Sequence, residues 1–206
     1  MLETLKEWDR ELLVFLNNLG VEQFDSFWIF VTQIESWTAL FVFFSFLIFY
    51  FFKGRTRFIV FAFAILSFAI SLFFTEITKD LVARIRPNNV AGFAEFIRVL
   101  QDPSSHSFFS GHASTSFAIT FFMVLTLRKF NKWIYLAFLW PLLFVGSRIY
   151  VGVHYPSDIV AGALVGTLVA IVCYKICMRW VRRYKSLQKS PEIDVSEPFL
   201  TKNLKN

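Results

Sequence analysis

Long apolar stretches separated by short polar connections constrain the fold of this chain more than any other feature. A helix needs roughly 20 apolar residues to cross the hydrocarbon core of a bilayer, so stretches of about this length predict membrane-spanning helices. Five such stretches lie near residues 36–52, 58–78, 112–127, 133–150 and 157–178. The sequence therefore predicts an all-α integral membrane helical bundle with about five transmembrane helices.

The composition favours the same class of protein. Of the 206 residues, 56% are hydrophobic and 17% are charged, whereas a soluble domain carries about a quarter charged residues. The net charge of +6 comes from short basic clusters between the apolar runs. This distribution argues against a nucleic-acid partner, which would require a continuous basic surface.

The length predicts a single domain, with different structure at its two ends. We predict one membrane-embedded domain over 1–185, with interfacial helices in 1–35 and a transmembrane core in 36–178. Within the first part, residues 1–19 predict an amphipathic helix that either lies in the membrane interface or packs as an ordinary helix. Residues 186–206 are polar and aperiodic, which predicts a disordered cytoplasmic tail.

The charges of the connections predict the topology. Basic residues cluster in Lys53–Arg57, Arg128–Lys132 and Arg179–Lys185, and five spans would place all three clusters on one face. The positive-inside rule makes that face cytoplasmic. The connections 79–111 and 147–156 then lie outside, together with the first 35 residues, which carry seven acidic and two basic side chains.

The 79–111 loop is itself basic, against the positive-inside trend. Its cations include Lys79, Arg84, Arg86 and Arg98. We favour the interpretation that these charges have a local anionic partner. The alternative is that charges on a long loop have little influence on topology.

The most informative polar cluster joins the fourth and fifth predicted spans. It contains Ser147, Arg148, His154 and Asp158. Arginine offers a planar fork of donors to phosphate, and a neutral histidine can act as a nucleophile while a carboxylate fixes its tautomer. Because charged groups beside hydrocarbon are costly, the cluster indicates a functional site. The alternative is a capped helix entry with an interfacial histidine.

Two further clusters fall on the same predicted face. Lys79 and Arg86 follow the second span, where they could bind an anion or simply reach lipid headgroups. Ser110, Gly111 and His112 precede the third span. A serine N-cap followed by glycine is typical of an ordinary helix start, but helix N-termini also bind anions through free amides.

Taken together, the order and spacing of the three clusters resemble the type 2 phosphatidic acid phosphatase (PAP2) superfamily. Its pattern is Lys-x6-Arg-Pro, then Pro-Ser-Gly-His, then Ser-Arg-x5-His-x3-Asp. The matching residues are Lys79, Arg86, Pro87, Ser110, Gly111, His112, Ser147, Arg148, His154 and Asp158. Phe109 stands where the family usually has proline, a departure that concerns the geometry of the loop more than the chemistry.

The resemblance implies a role for each matching residue. His154 would attack phosphorus and form a phosphohistidine, supported by Asp158, while His112 would protonate the leaving oxygen. The phosphoryl oxygens would be held by Lys79, Arg86, Ser110, Gly111 and Arg148. No metal and no cofactor is implied, because cations and amides neutralise the phosphate.

We therefore expect a membrane lipid-phosphate phosphatase of the bacterial inner membrane, with its site on the periplasmic face. Its substrate would be a lipid phosphate such as isoprenyl (undecaprenyl) diphosphate, phosphatidylglycerol phosphate, phosphatidate or lipid A. One alternative is a non-catalytic protein that binds or transports lipid phosphates. It would need the cations but not both histidines and Asp158. Oxidation chemistry at bound vanadate is a second alternative, which the apolar spans disfavour because such relatives are soluble.

Three other polar or reactive residues have structural interpretations. Cys173 and Cys177 lie four residues apart in the last apolar stretch, which favours packing against a neighbouring helix over metal binding or a disulfide. Glu76 precedes Lys79 by three residues and is predicted to pair with it along a helix.

Overall fold

The structure is a computed structural model that describes residues 2–189, and within this range it consists of helices and connecting loops without β-strands. The α-helices are α1 (Leu2–Asn18), α2 (Asp25–Val31), α3 (Thr38–Phe51), α4 (Arg55–Val82), α5 (Gly111–Leu127), α6 (Leu139–Tyr150) and α7 (Pro156–Lys189). The 3₁₀ helices are Glu22–Phe24, Ile34–Trp37, Pro87–Asn89, Ala94–Phe96 and Lys132–Phe138. The predicted all-α bundle is confirmed.

Four of the five predicted spans are long and apolar enough to cross a membrane. They are Ile34–Phe51, Arg55–Asn89, Lys132–Tyr150 and Pro156–Gln188. The remaining one, α5, is an apolar helix of 17 residues. It packs against α4, α6 and α7, and most of its residues are buried. Because its neighbours surround it, α5 does not itself have to match the thickness of a bilayer.

The main apolar core joins α3, α4, α5, α6 and α7. Phe122 of α5 and Phe144 of α6 lie at its centre, where both are at most 1% exposed. Cys173 and Cys177 are free and buried in the same core, as the packing interpretation predicts. Many large apolar side chains on the outside remain exposed, for example Phe73 at 62% and Leu168 at 62%, as expected for surfaces that face lipid.

Two glycines let α7 approach α5 very closely. A Cβ at Gly162 would lie 2.5 Å from the carbonyl oxygen of Ser110, and a Cβ at Gly166 would lie closer still to that of Ser114. Small residues four apart are a common device for bringing membrane helices together. Here they set the position of the N-terminus of α5 against the first turns of α7.

As predicted, the N-terminal segment forms an amphipathic helix, α1, and this helix packs on the bundle. On one side Leu13 and Asn17 are fully buried, and the Asn17 amide donates to the carbonyl oxygens of Ile149 and Tyr150 at 2.9 Å. On the other side apolar residues such as Trp8, at 62%, are exposed. The helix is therefore packed on the bundle and still presents an apolar face.

The C-terminal helix is longer than the predicted span. Helix α7 runs through Lys189, so the first four residues of the segment that we predicted as a tail are helical. The rest of that segment lies outside the described residues.

Candidate active site

The three polar clusters come together at one end of the bundle because each sits at a helix end. Lys79 lies in the last turn of α4, His112 in the first turn of α5 and Arg148 in the last turn of α6. His154 lies in the short link to α7, and Asp158 lies in the first turn of that helix. The helix packing therefore assembles residues that are as many as 79 positions apart.

The geometry around His154 fixes its tautomer. Nη1 of Arg86 lies 3.1 Å from Nε2 of His154, and since a guanidinium can only donate, Nε2 must be the acceptor. The proton of the neutral ring is then on Nδ1, which lies 3.4 Å from Oδ2 of Asp158. The ring thus directs an unprotonated nitrogen toward Arg86 and its proton toward the carboxylate.

Burial keeps this imidazole neutral. The His154 side chain is 1% exposed, and burial lowers its pKa to about 3, with Arg86 and Arg148 acting in the same direction against the opposing effect of Asp158. At neutral pH the ring therefore carries no charge, and Nε2 has a lone pair available for attack on phosphorus.

Asp158 is completely buried and accepts several hydrogen bonds. Oδ2 accepts from the Ser107 hydroxyl at 2.5 Å and from the Tyr155 backbone N–H at 3.0 Å. Oδ1 accepts from Arg84 at 2.6 Å. These donors fix the carboxylate against the imidazole, which is the arrangement needed to orient a histidine nucleophile.

Three cations face one another at the other side of His154. Lys79, Arg86 and Arg148 are at most 9% exposed and lie close enough to interact electrostatically. Glu76 lies 3.5 Å from Lys79, which agrees with the predicted pairing. Gathering like charges in a buried site is unfavourable unless an anion joins them, so this arrangement indicates a binding site for an oxyanion.

Arg148 is positioned by residues that the sequence did not point to. Its Nη1 donates to the Thr32 hydroxyl at 2.5 Å and to Oε1 of Gln101 at 2.8 Å. Its Nε is buried without a hydrogen-bond partner. Buried donors normally have partners, so this N–H is available to a bound anion.

The second cluster forms the expected helix start. Ser110 caps α5 by accepting from the Ala113 N–H at 3.4 Å, and its own N–H donates to the Asp158 carbonyl oxygen at 3.0 Å. Gly111 opens the helix, and a Cβ there would lie 3.2 Å from Thr75. The first turn of α5 is thereby tied to the first turn of α7.

His112 lies next to the cations. Its ring packs at a tilt of 32° against that of Phe144, with 4.6 Å between the centroids, and Nε2 donates to the Thr32 carbonyl oxygen at 3.2 Å. Since a carbonyl can only accept, Nε2 carries the proton. The ring interacts electrostatically with both Arg148 and His154, so a protonated nitrogen is present near the proposed nucleophile.

Sequence reasoning missed the serines that support these cations. Ser105 accepts from Arg86 through both its hydroxyl, at 3.0 Å, and its carbonyl oxygen, at 2.5 Å, and its hydroxyl lies 3.4 Å from Nζ of Lys79. Ser107, which follows the exposed His106 in the sequence, donates its hydroxyl hydrogen to Asp158. The run of serines before the second cluster was the feature of the sequence that could have indicated these contacts.

The basic 79–111 loop has internal anionic partners for two of its charges. Arg84 pairs with Asp9 and Asp158, and Arg98 pairs with Asp25 at 2.5 Å. These partners are carboxylates of the protein. They explain part of the breach of the positive-inside trend. Lys79 has a further carboxylate partner in the exposed Glu76, and Arg86 pairs with no carboxylate within the described residues.

Comparison with known proteins agrees with this geometry. The family model described as the PAP2 superfamily matches residues 60–182, which is more than half of the chain. The chain belongs to the PAP2 superfamily. As a member, it is an integral membrane lipid-phosphate phosphatase.

Individual PAP2 relatives cover most of the chain. A lipid A 4'-phosphatase of Porphyromonas gingivalis is 28% identical over 191 residues, which is 87% of this chain and 79% of that protein. The crystal structure of Aquifex aeolicus LpxE superposes with a TM-score of 0.59 at 25% identity, covering 80% of this chain and 93% of that one.

A more distant PAP2 structure shares the fold. The transmembrane PAP2-type phosphatidylglycerolphosphate phosphatase from Bacillus subtilis superposes with a TM-score of 0.67 at 19% identity. It covers 87% of each chain. The similarity to both solved structures lies in the arrangement of the helices.

Proposed function

We propose that this PAP2 phosphatase transfers the phosphoryl group of a membrane lipid first to His154 and then to water. The observation that carries the proposal is the buried, neutral imidazole of His154 between Asp158 on one side and a cluster of three cations on the other. A nucleophile, an orienting carboxylate and an oxyanion site are the parts that phosphoryl transfer requires.

In the first step Nε2 of His154 attacks phosphorus, and the bond to the lipid oxygen breaks. The ring becomes positively charged, and Asp158 stabilises it through the proton on Nδ1. Lys79, Arg86 and Arg148 neutralise the charge on the phosphoryl oxygens as it develops. Arg86 leaves Nε2 at this stage and turns its donor to the phosphate.

Proton transfer completes both steps. His112 in its doubly protonated form donates a proton to the leaving oxygen, and the neutral ring that results then removes a proton from the water that hydrolyses the phosphohistidine. Ser110 and the N–H of Gly111, at the N-terminus of α5, add donors for the phosphate. Both histidines therefore have a use, which favours catalysis over the non-catalytic binding or transport protein considered above.

The lipid chain has an adjacent place to lie. An apolar cavity of about 240 Å³ opens between α3, α4 and α5. It begins at Ile34, two residues from the Thr32 that contacts Arg148 and His112, and continues past Phe44 to Met123. A phosphate held by the cations can therefore keep its hydrocarbon in the apolar phase.

We propose a lipid A phosphate as the preferred substrate, since the curated relative that matches 87% of the chain is a lipid A 4'-phosphatase. Purified protein should release phosphate faster from lipid A than from isoprenyl diphosphate, phosphatidylglycerol phosphate or phosphatidate, as measured by free phosphate. The rate should be unchanged in a chelator, because no step uses a metal. A faster rate on another lipid would reassign the substrate, and loss of activity in the chelator would contradict the metal-free mechanism.

We also propose that the protein resides in a bacterial inner membrane with the site on the periplasmic face. The support is the distribution of basic residues at the end of the bundle away from His154. Lys53–Arg57 and Arg128–Lys132 lie in or beside connections there, and Arg179–Lys185 lies in the C-terminal part of α7. The positive-inside rule assigns that end to the cytoplasm.

Cysteine labelling tests this topology. Asn89→Cys lies in an exposed position near the site, and Lys132→Cys lies in an exposed position at the opposite end, while the native Cys173 and Cys177 are buried. In intact spheroplasts a membrane-impermeant maleimide should label Asn89→Cys, and Lys132→Cys should react only after permeabilisation. The reverse pattern would overturn the orientation.

A further inference from the structure

Arg84 occupies an unusual position between two carboxylates. Its Nη1 lies 2.6 Å from Oδ1 of Asp158, and its Nη2 lies 2.7 Å from Oδ2 of Asp9 on α1. Its guanidinium also lies over the ring of Tyr155, 3.8 Å from the centroid. Arg84 thus pairs with two carboxylates of the protein, whereas Arg86 and Arg148 pair with none within the described residues.

Asp9 attaches α1 to the same point of the bundle. Besides Arg84, its carboxylate accepts from the Ser157 backbone N–H at 2.9 Å and from the Ser157 hydroxyl. Ser157 lies in the first turn of α7, next to Asp158. Asp9 therefore caps the helix that carries the orienting carboxylate and also fixes the orientation of Arg84.

The charge of Asp158 depends on these contacts. Its side chain is 0% exposed, whereas those of Arg84 and Asp9 are 24% and 10% exposed. A buried carboxylate stays ionised only if a cation or several donors compensate for the lost water. The titratable groups that face it are Arg84, His154 and Tyr155, with Arg86 beyond the imidazole and Asp9 beyond Arg84. His154 is neutral, so Arg84 is the cation in direct contact.

We infer that Arg84 is a positioning residue that keeps Asp158 ionised and aligned with His154, and that the N-terminal helix takes part in this through Asp9. The inference rests on the proposed function, because it assigns Arg84 a role in the reaction of His154. It also gives α1 a use beyond packing, since a helix with an exposed apolar face is connected by two hydrogen-bonded side chains to the catalytic carboxylate.

Arg84→Gln tests this role with two readouts. Loss of the cation should lower kcat by about 10- to 100-fold, a range typical for residues that orient a reacting group. The KM should stay within about threefold of the wild-type value, because Arg84 is not expected to contact the phosphate. The acid limb of the pH profile should move to higher pH, because the ionised carboxylate loses its neighbouring cation. Arg84→Lys, which keeps the charge, should restore the position of the acid limb.

Asp9→Asn separates the contribution of α1. It should lower kcat without moving the acid limb upward, because Arg84 keeps its charge near Asp158. The loss of activity in the double variant should be smaller than the product of the two single losses, since part of the effect of Asp9 passes through Arg84 and the rest through Ser157. The matched control is Glu11→Gln, an exposed acid on the same helix with no role in the site, which should behave as wild type.

Several results would overturn the inference. Wild-type kcat in Arg84→Gln would do so, as would a raised KM at unchanged kcat, which would make Arg84 a phosphate ligand. A lower kcat with an unshifted acid limb would make its role structural only. These outcomes can be distinguished from a failure of the proposed function. If the proposed function were wrong, His154→Ala would remain active, whatever the Arg84 variants showed.

Discussion

Replacing His154 with alanine should abolish phosphate release from every lipid phosphate that the wild-type protein hydrolyses. The variant lacks the nitrogen that attacks phosphorus, and the remaining oxyanion site cannot provide a nucleophile. Losses of about 10⁴-fold or more are typical when a nucleophile is removed. The assay measures free phosphate released from a lipid phosphate in detergent. A protein-free blank sets the background against which a loss of this size is detected.

The wild-type protein should in addition form a phosphoenzyme. Acid-labile, base-stable radioactive phosphate should appear on the protein after a rapid quench with labelled substrate, and it should be missing from His154→Ala. His106→Ala is the matched control, because His106 is an exposed histidine in the same set of loops. It should retain full activity and labelling.

The fold of the variant has to be checked, because His154 is buried and contacts Arg86. His154→Gln, which keeps a side chain that can accept from Arg86, provides a second inactive variant with less disturbance of packing. Activity in either variant, in protein that elutes as wild type from a sizing column, would contradict the assigned nucleophile.

Replacing Gly166 with alanine should destabilise the whole bundle. The added Cβ would lie well under 3.0 Å from the backbone of Ser114, and a backbone atom inside a packed helix cannot move away as a side chain could. Overpacking of this kind costs about 3 kcal/mol, which corresponds to a drop in apparent melting temperature of roughly 6 to 12 °C for a domain of this size. Activity should fall as well, because Ser114 lies one turn below Ser110 and the N-terminus of α5.

Gly146→Ala is the matched control for this prediction. Gly146 is also helical, but a Cβ there would meet nothing closer than Trp28 at 3.8 Å. Alanine is the better helix former by about 1 kcal/mol, so this variant should melt at or slightly above the wild-type temperature. Equal melting temperatures for the two variants would mean that α5 and α7 are not in close contact.

The polar site was predictable to a large extent from sequence because its residues occupy helix ends. His112, Arg148 and Asp158 each fall within one turn of the end of an apolar stretch. The number of spans between them therefore predicted that all three lie on the same face of the membrane. Their roles remain predictions. Thr32, Gln101 and Ser105 could not be predicted in the same way, since uncharged residues in loops carry no pattern that names their partners.

By itself, the sequence determined the class of fold and the chemistry of the site. Apolar stretches of bilayer length can satisfy their backbone hydrogen bonds only as helices, and cations beside two histidines and Asp158 suit a phosphate. Only the tertiary structure decided which charges remain for that phosphate. Arg84 and Arg98 resemble Arg86 in sequence, yet they pair with Asp9 and Asp25, whereas Arg86 pairs with no carboxylate within the described residues. These carboxylates are more than 70 residues away along the chain, and such pairing depends on distances that only the packing of the helices sets.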